Sequence, residues 1–276
     1  MPESRPKVSV VVSCYNYGGY LASAVQSALA QTYPNIEVVI VDDGSTDDTP
    51  EVVKWLSTDP RVVSVRQSNQ GQAAAKNAGI LRSGGDFIAF LDADDRWTRE
   101  KLEKQMPLFA NPAVGVVYSL KRPLSPDGKP LERYATDAAL HPRRGRVCGE
   151  LFIDNFVPFS SAVVRRSVFD RIGTMDTGLS MGIDWDLWLR ASLHYEFDYV
   201  NEPLLEYREG HAGQMSRKQE ERNACADRIM TRFLKDHPEA LPARHVRRAW
   251  SYTYNRRGFF YRLSDPRRST SYYLRS

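Results

Sequence analysis

Three carboxylates occupy four positions, Asp92-Ala93-Asp94-Asp95, directly after the apolar run Phe87 to Leu91. Negative charges this close oppose one another unless a cation sits among them. Hard divalent ions such as Mg²⁺ and Mn²⁺ take oxygen ligands, commonly one or two protein carboxylates completed by phosphate oxygens of a substrate. The cluster therefore points to a metal site serving a phosphate-bearing ligand. The competing role, which applies most to Asp95, is to cap the helix expected from about Thr98. A second acidic group, Asp42-Asp43-Gly44-Ser45-Thr46-Asp47-Asp48, follows Ile36 to Val41 in the same way. At a strand end Asp43 can accept hydrogen bonds from the base or ribose of a nucleotide, and Gly44 permits a sharp exit turn. Asp47 and Asp48 read as a capped loop entering the next helix.

These carboxylates need elements to hold them. Strand-like runs recur at Val8 to Ser13, Ile36 to Val41, Val62 to Arg66, Phe87 to Leu91 and Val114 to Tyr118. Their apolar character is nearly continuous, as in strands buried on both faces. Helical patterns lie between them, at Leu21/Val25/Leu29, Pro50 to Leu56, Gln72 to Arg82 and Glu100 to Phe109, and Thr49-Pro50 reads as N-cap and N1. The alternation predicts an α/β fold with a mainly parallel central sheet and helices on both faces. In such sheets ligands gather beyond the carboxyl ends of the strands, where both acidic groups fall.

Residues 121 to 149 break into turn-rich sequence and read as a loop. A strand at Ser161 to Arg165, helices at Ser167 to Ile172 and Trp185 to His194, and two short strands, Phe197 to Val200 and Leu204 to Tyr207, come next. From Ser216 to Leu263 the chain reads as helical and basic, and the closing DPRRSTSYYLRS reads as loosely ordered. The expected division is a catalytic domain over 1–215 and a helical extension over 216–276.

With 42% hydrophobic and 26% charged residues the chain is ordinary for a globular protein, and no window nears 18 uninterrupted apolar residues. Three separated cysteines fit neither a disulfide framework nor a zinc site, and MPESRPKVSVVV enters a strand pattern without an apolar leader. A cytoplasmic chain, at most peripheral at the inner face of the membrane, is expected. The net charge of +4 conceals an asymmetry: residues 217–276 hold 15 Lys and Arg against 6 Asp and Glu.

Four blocks, VSVVVSCYNYGGYL, VVIVDDGSTDDT, NQGQAAAKNAGI and FIAFLDADDRW, together resemble the family 2 glycosyltransferases, which share the GT-A nucleotide-sugar fold and invert the anomeric centre. The resemblance covers about residues 7 to 215. It implies that Ser13 and Asp43 line the nucleoside pocket with Tyr15 close by, that Asp92 lies near ribose and metal, and that Asp94 ligates the metal directly. Lys76 stands where the family more often has Arg and can meet a phosphate as a point charge. MGIDWDLWLR is similar to the segment that carries the catalytic base, which makes Asp184 the base, although Ile183 replaces the Glu that many members have there. The alternative role for Asp184 is helix N-cap, and Asp186 reads as a first-turn residue. LLEYREGHAGQMS resembles the family's Tyr-Arg-x-His run and makes His211 a candidate metal ligand.

The implied reaction is transfer of a sugar from a nucleotide diphosphate, UDP by family frequency, to a saccharide or lipid-linked acceptor, with Mn²⁺ or Mg²⁺ as cofactor. The alternative is a sugar-nucleotide-binding protein without turnover. In the tail, Trp250, Tyr252, Tyr254, Phe259, Phe260 and Tyr261 interleave with arginines. That stretch suits either an anionic membrane surface or packing of its aromatic face on the catalytic domain. No nucleic-acid module accompanies it.

Overall fold

The computed structural model describes residues 5–131, 141–211 and 218–276. Strands β1 (Val8–Cys14), β2 (Ile36–Asp42), β3 (Val62–Arg66) and β4 (Phe87–Asp92) alternate with helices α1 (Gly18–Leu29), α2 (Thr49–Leu56) and α3 (Gln72–Arg82). They pair in parallel in the order β3-β2-β1-β4. The apolar runs of β1, β2 and β4 are continuous because both faces are covered, whereas β3, expected to be buried likewise, is the edge strand and leaves Ser64 and Arg66 exposed. On β1, Val8, Val10 and Val12 pack with Leu21 and Val25 of α1, while Val11 turns to the opposite face beside Ile88, Phe90 and Trp188.

The second half of the sheet is mixed. After β5 (Arg96–Trp97) and α4 (Lys101–Gln105), strand β6 (Val114–Leu124) runs six residues beyond the expected end, into the segment read as a loop. The short β7 (Val163–Arg165) lies antiparallel between β4 and β6, and a 3-10 turn, Phe159–Ser161, replaces the first residue of the expected strand. The Pro-Asp-Gly turn survives as a tight reversal in which Gly128 N–H donates to the Ser125 carbonyl at 2.9 Å. Helix α5 (Cys148–Ile153) has no counterpart in the sequence reading. Residues 132–140 of that segment lie outside the described residues.

Helices α6 (Arg166–Ile172) and α7 (Ile183–Ser192) follow, and the two expected short strands are one, β8 (Glu196–Arg208). Its register against β6 slips between Ser119 and Lys121, so that Val200 faces Ser119 and Pro203 faces Leu120. Asn201-Glu202-Pro203 reads as a turn, yet a bulge uses the same residues, because it needs no ladder donor from Pro203.

The C-terminal helices α8 (Gln219–Asp236) and α9 (Ala243–Tyr261) bury Ile229, Met230, Phe233 and Ala249 in the same core as Phe152 and Trp188, and α10 (Pro266–Tyr273) packs on α9. The ending is therefore not loose. Asp265 caps α10 by accepting from Arg268 N–H at 3.0 Å, with Pro266 in the first turn. At α2 the expected N-cap, Thr49, is instead the first helical residue and Asp48 stands at the N-cap position, so Pro50 still falls in the first turn. Ser269 Oγ then ties α10 to the Gly258 carbonyl on α9 at 2.8 Å.

Candidate active site

The strand register puts Ser13 of β1 beside Asp92 of β4. Helix α3 lies close over both: a Cβ on Gly79 would meet Val11 Cγ1 at 2.4 Å, so only glycine permits this approach. The result brings Lys76 Nζ to 2.9 Å from Ser13 Oγ and 2.8 Å from Asp92 Oδ1. Lys76 is nearly buried, 5.0 Å above the Phe159 ring. Ser13, Lys76 and Asp92 thus form one polar unit. Tyr15, at the exit of β1, is exposed.

Asp43 is buried at the exit of β2. Its carboxylate accepts from Gln70 N–H at 2.9 Å, Gly71 N–H at 2.8 Å and Gln67 Nε2 at 2.8 Å. Gly44 has φ +81°, and a Cβ there would meet Asn69 N at 2.9 Å, which accounts for the glycine expected at this turn. Asp43 therefore organises the 67–71 loop as well as standing at the predicted nucleoside edge.

The second polar unit forms where β4 ends. His211 Nε2 lies 2.8 Å from Asp94 Oδ2, and its ring rests against Tyr17 and Tyr20 with centroids 5.8 and 5.4 Å away. Arg208, the last residue of β8, fixes the turn: its Nε donates to the Asp94 carbonyl at 2.9 Å and its backbone N–H to Asp95 Oδ1 at 3.0 Å. Burial, and then the Asp92 charge, push the Asp94 carboxyl above the usual carboxylate range, partly offset by His211. Burial, and then Asp94 and Asp92, push Asp95 well above it.

These residues fit a divalent cation with substrate oxygens as further ligands. Two cis ligands at about 2.1 Å from a metal stand about 3 Å apart. Asp94 Oδ2 and His211 Nε2 have that separation already. Among the described residues no group of three or more His, Cys, Asp or Glu side chains converges. Asp92, expected at both ribose and metal, lines the cleft and is paired with Lys76.

Asp184 stands one residue inside α7, whose N-cap is Gly182, so it is not the cap. It is half-buried, and Asn155 Nδ2 donates to its Oδ2 at 2.7 Å. Burial raises its carboxyl pKa, opposed by the Trp185 N–H and Asn155. Asp186 is buried between Arg190 and Arg232, at 2.8 and 2.5 Å, and is structural. Asn155 was not foreseen: it lies just after α5, in sequence without periodicity, and only the packing of α5 on α7 delivers it to Asp184.

A cleft of about 1130 Å³ joins the Lys76–Asp92 pair to Asp184. Lys76 and Asp92 line one end, Asn155 and Asp184 the wall beyond, and α8 to α10 the far side. The cleft can hold a polyphosphate near Lys76 and present a carboxylate of raised proton affinity to a second reactant.

The model of the family described as "Glycosyl transferase family 2" matches residues 9–173. An uncharacterized glycosyltransferase of Nostoc sp. is 34% identical over 197 residues, 68% of this chain and 58% of that protein. The Escherichia coli protein named UDP-Glc:alpha-D-GlcNAc-diphosphoundecaprenol beta-1,3-glucosyltransferase WfaP is 37% identical over 113 residues, 41% of this chain and 45% of its own length. The chain thus spans only about half the length of these relatives. Among solved structures, the mannosyltransferase PcManGT of Pyrobaculum calidifontis, in complex with GDP-Man and Mn²⁺, superposes with a TM-score of 0.73 over 98% of this chain and 74% of that one, at 21% identity. The fold is shared.

Proposed function

The chain belongs to glycosyl transferase family 2, and from that membership we propose that it transfers a sugar from a nucleotide diphosphate, UDP in the first instance, to an acceptor hydroxyl with inversion. The observation that carries this reading is a cleft shared by Lys76 and Asp92 at one end and Asp184 on the wall beyond. Asp43, Ser13 and Tyr15 would receive the nucleoside and Lys76 a phosphate. Asp94 and His211 would hold Mn²⁺ or Mg²⁺, whose charge offsets that of the departing diphosphate. Asp184 takes the proton of the acceptor hydroxyl as that oxygen bonds to the anomeric carbon. The bond from that carbon to the diphosphate breaks, and its electron pair leaves with the nucleotide. One base suffices for such a displacement, and its raised proton affinity suits it to the task.

The acceptor we propose is a saccharide, lipid-linked as in the name of the Escherichia coli relative, in cell-envelope polysaccharide or glycolipid assembly. Among the described residues no helix is long and apolar enough to cross a membrane. Peripheral contact of the basic C-terminal region with an anionic membrane, at its cytoplasmic face, completes the proposal.

Calorimetric titration with UDP and with GDP, each with and without Mn²⁺, tests the donor site alongside Asp94→Ala. Metal-dependent binding of one nucleotide that vanishes in the variant is expected. Failure of both nucleotides to bind under every condition overturns the reading.

A further inference from the structure

The far wall of the cleft has a chemistry that donor and base leave unused. Asp154 on this wall is already paired with Arg256 at 2.9 Å, and Arg257, which also lines it, with Asp227 at 2.7 Å. Arg222 of α8 and Arg262, which follows α9, line the same cleft with no carboxylate partner among the described residues. Arg262 is held by its own turn, donating to the Phe259 carbonyl at 2.6 Å with its guanidinium 3.5 Å over the Phe259 ring. Two guanidinium groups lining one cleft, neither with a carboxylate partner of its own among the described residues, offer donors to an anion, and their planar forks suit phosphate.

Apolar side chains stand beside them in water. Phe259 and Phe260, which also line the cleft, are 59% and 51% exposed, and Leu263 and Leu274, on the segments that follow, are 85% and 84% exposed. Exposed apolar side chains gathered in this way mark a surface that meets another apolar body. Charge and apolar surface side by side call for an amphiphile with an anionic head.

We propose that Arg222 and Arg262 bind the phosphate or diphosphate of a lipid-linked acceptor, with its hydrocarbon leaving over Phe259, Phe260, Leu263 and Leu274. This rests on the glycosyltransferase reading and adds the residues that select the acceptor. Because the same cleft runs to Asp184, the acceptor's sugar would extend inward from its phosphate toward the base.

The test is binding of farnesyl diphosphate to the full chain in the presence of EDTA, compared with farnesol, inorganic diphosphate and phosphatidylglycerol vesicles. Farnesyl diphosphate should bind at least about tenfold more tightly than farnesol or inorganic diphosphate, since the site needs both parts of the ligand. Arg222→Gln with Arg262→Gln should weaken it by about tenfold or more, the loss expected of charge-assisted contacts. Phe259→Ser with Phe260→Ser should do the same, while Arg171→Gln on α6 binds like the wild type. Circular dichroism identifies any variant that has not folded, and for the arginine pair Arg222→Lys with Arg262→Lys, which keeps the charge, should recover part of the affinity. Affinity of the glutamine pair within about twofold of wild type overturns the proposal. So do vesicles that bind with the same arginine dependence and displace farnesyl diphosphate, because the arginines would then read bulk headgroups. None of these outcomes touches the nucleotide titration, so the donor reading stands or falls separately.

Discussion

The two acidic strand exits are alike in composition and opposite in physics. After β2 the carboxylates are met by fixed dipoles. Asp43 accepts two backbone N–H groups and an amide, Asp47 accepts from Thr49 and Gly18, and Asp42 Oδ1 accepts from Ser45 N–H. After β4 the carboxylates face one another, and burial with mutual repulsion lifts the proton affinity of Asp94 and Asp95. A charge answered by backbone dipoles shapes a loop, whereas charges crowded together are a place for a cation. Asp184 and Asp186 repeat the contrast within one helical turn, the second enclosed by two arginines and the first held by an amide in the cleft.

Substitutions can break this comparison. The largest effect is expected from Asp94→Ala, which should abolish metal-dependent nucleotide binding and lower kcat/KM by more than about a thousandfold, several kcal/mol of lost charge stabilisation. Asp43→Ala should keep the metal dependence while weakening the nucleotide, and equal loss of metal dependence in both variants would erase the distinction. Next comes Asp184→Asn, expected to lower kcat by about a hundred- to ten-thousandfold with nucleotide affinity kept. Unaltered turnover would move the base elsewhere, and Asp186→Asn, expected to act through folding, is its companion.

The pH profile follows. The base works deprotonated, so kcat/KM should fall as pH drops through the raised pKa of Asp184, with an inflection above the ordinary carboxylate range. Asn155 stabilises the charged form, so Asn155→Ala should move that inflection upward. An unmoved inflection would reduce Asn155 to a packing residue.

The smallest effects are on stability, and their signs differ between the two exits. Asp94 and Asp95 have folded pKa values above their unfolded ones. The native state therefore holds their protons more tightly, and their contribution falls as pH rises from the unfolded value through the folded one. At neutral pH Asp94→Asn should stabilise the metal-free protein, by about 2–4 °C for each kcal/mol of strain relieved in a chain of this size. Asp43→Ala should instead cost about 1–3 kcal/mol, because three donors lose their acceptor. Thermal unfolding of both variants in EDTA measures this, and shifts of the same sign would show that the exits do not differ.

Much of this protein was determined by local sequence. Continuous β-branched runs can only be strands covered on both faces, and alternation with helical periods leaves few options but a parallel sheet, so β1 to β4 and the acidic exits at their ends were legible. Asp265-Pro266 marks a helix start outright, and Thr49-Pro50 marks one to within a residue, since the N-cap there is Asp48 rather than the expected Thr49, which is already the first helical residue. Tertiary structure decided what depends on residues distant in the chain. The antiparallel insertion of β7, the bulge that makes one strand of β8, and the meetings of Asn155 with Asp184 and Lys76 with Asp92 arise from packing between elements with no periodic signature of their own. Tertiary structure also divided the aspartates. Whether a carboxylate meets an N–H, a guanidinium or another carboxylate is set by what folding brings within about 3 Å of it, and that neighbour fixes whether its charge builds the fold or serves the site.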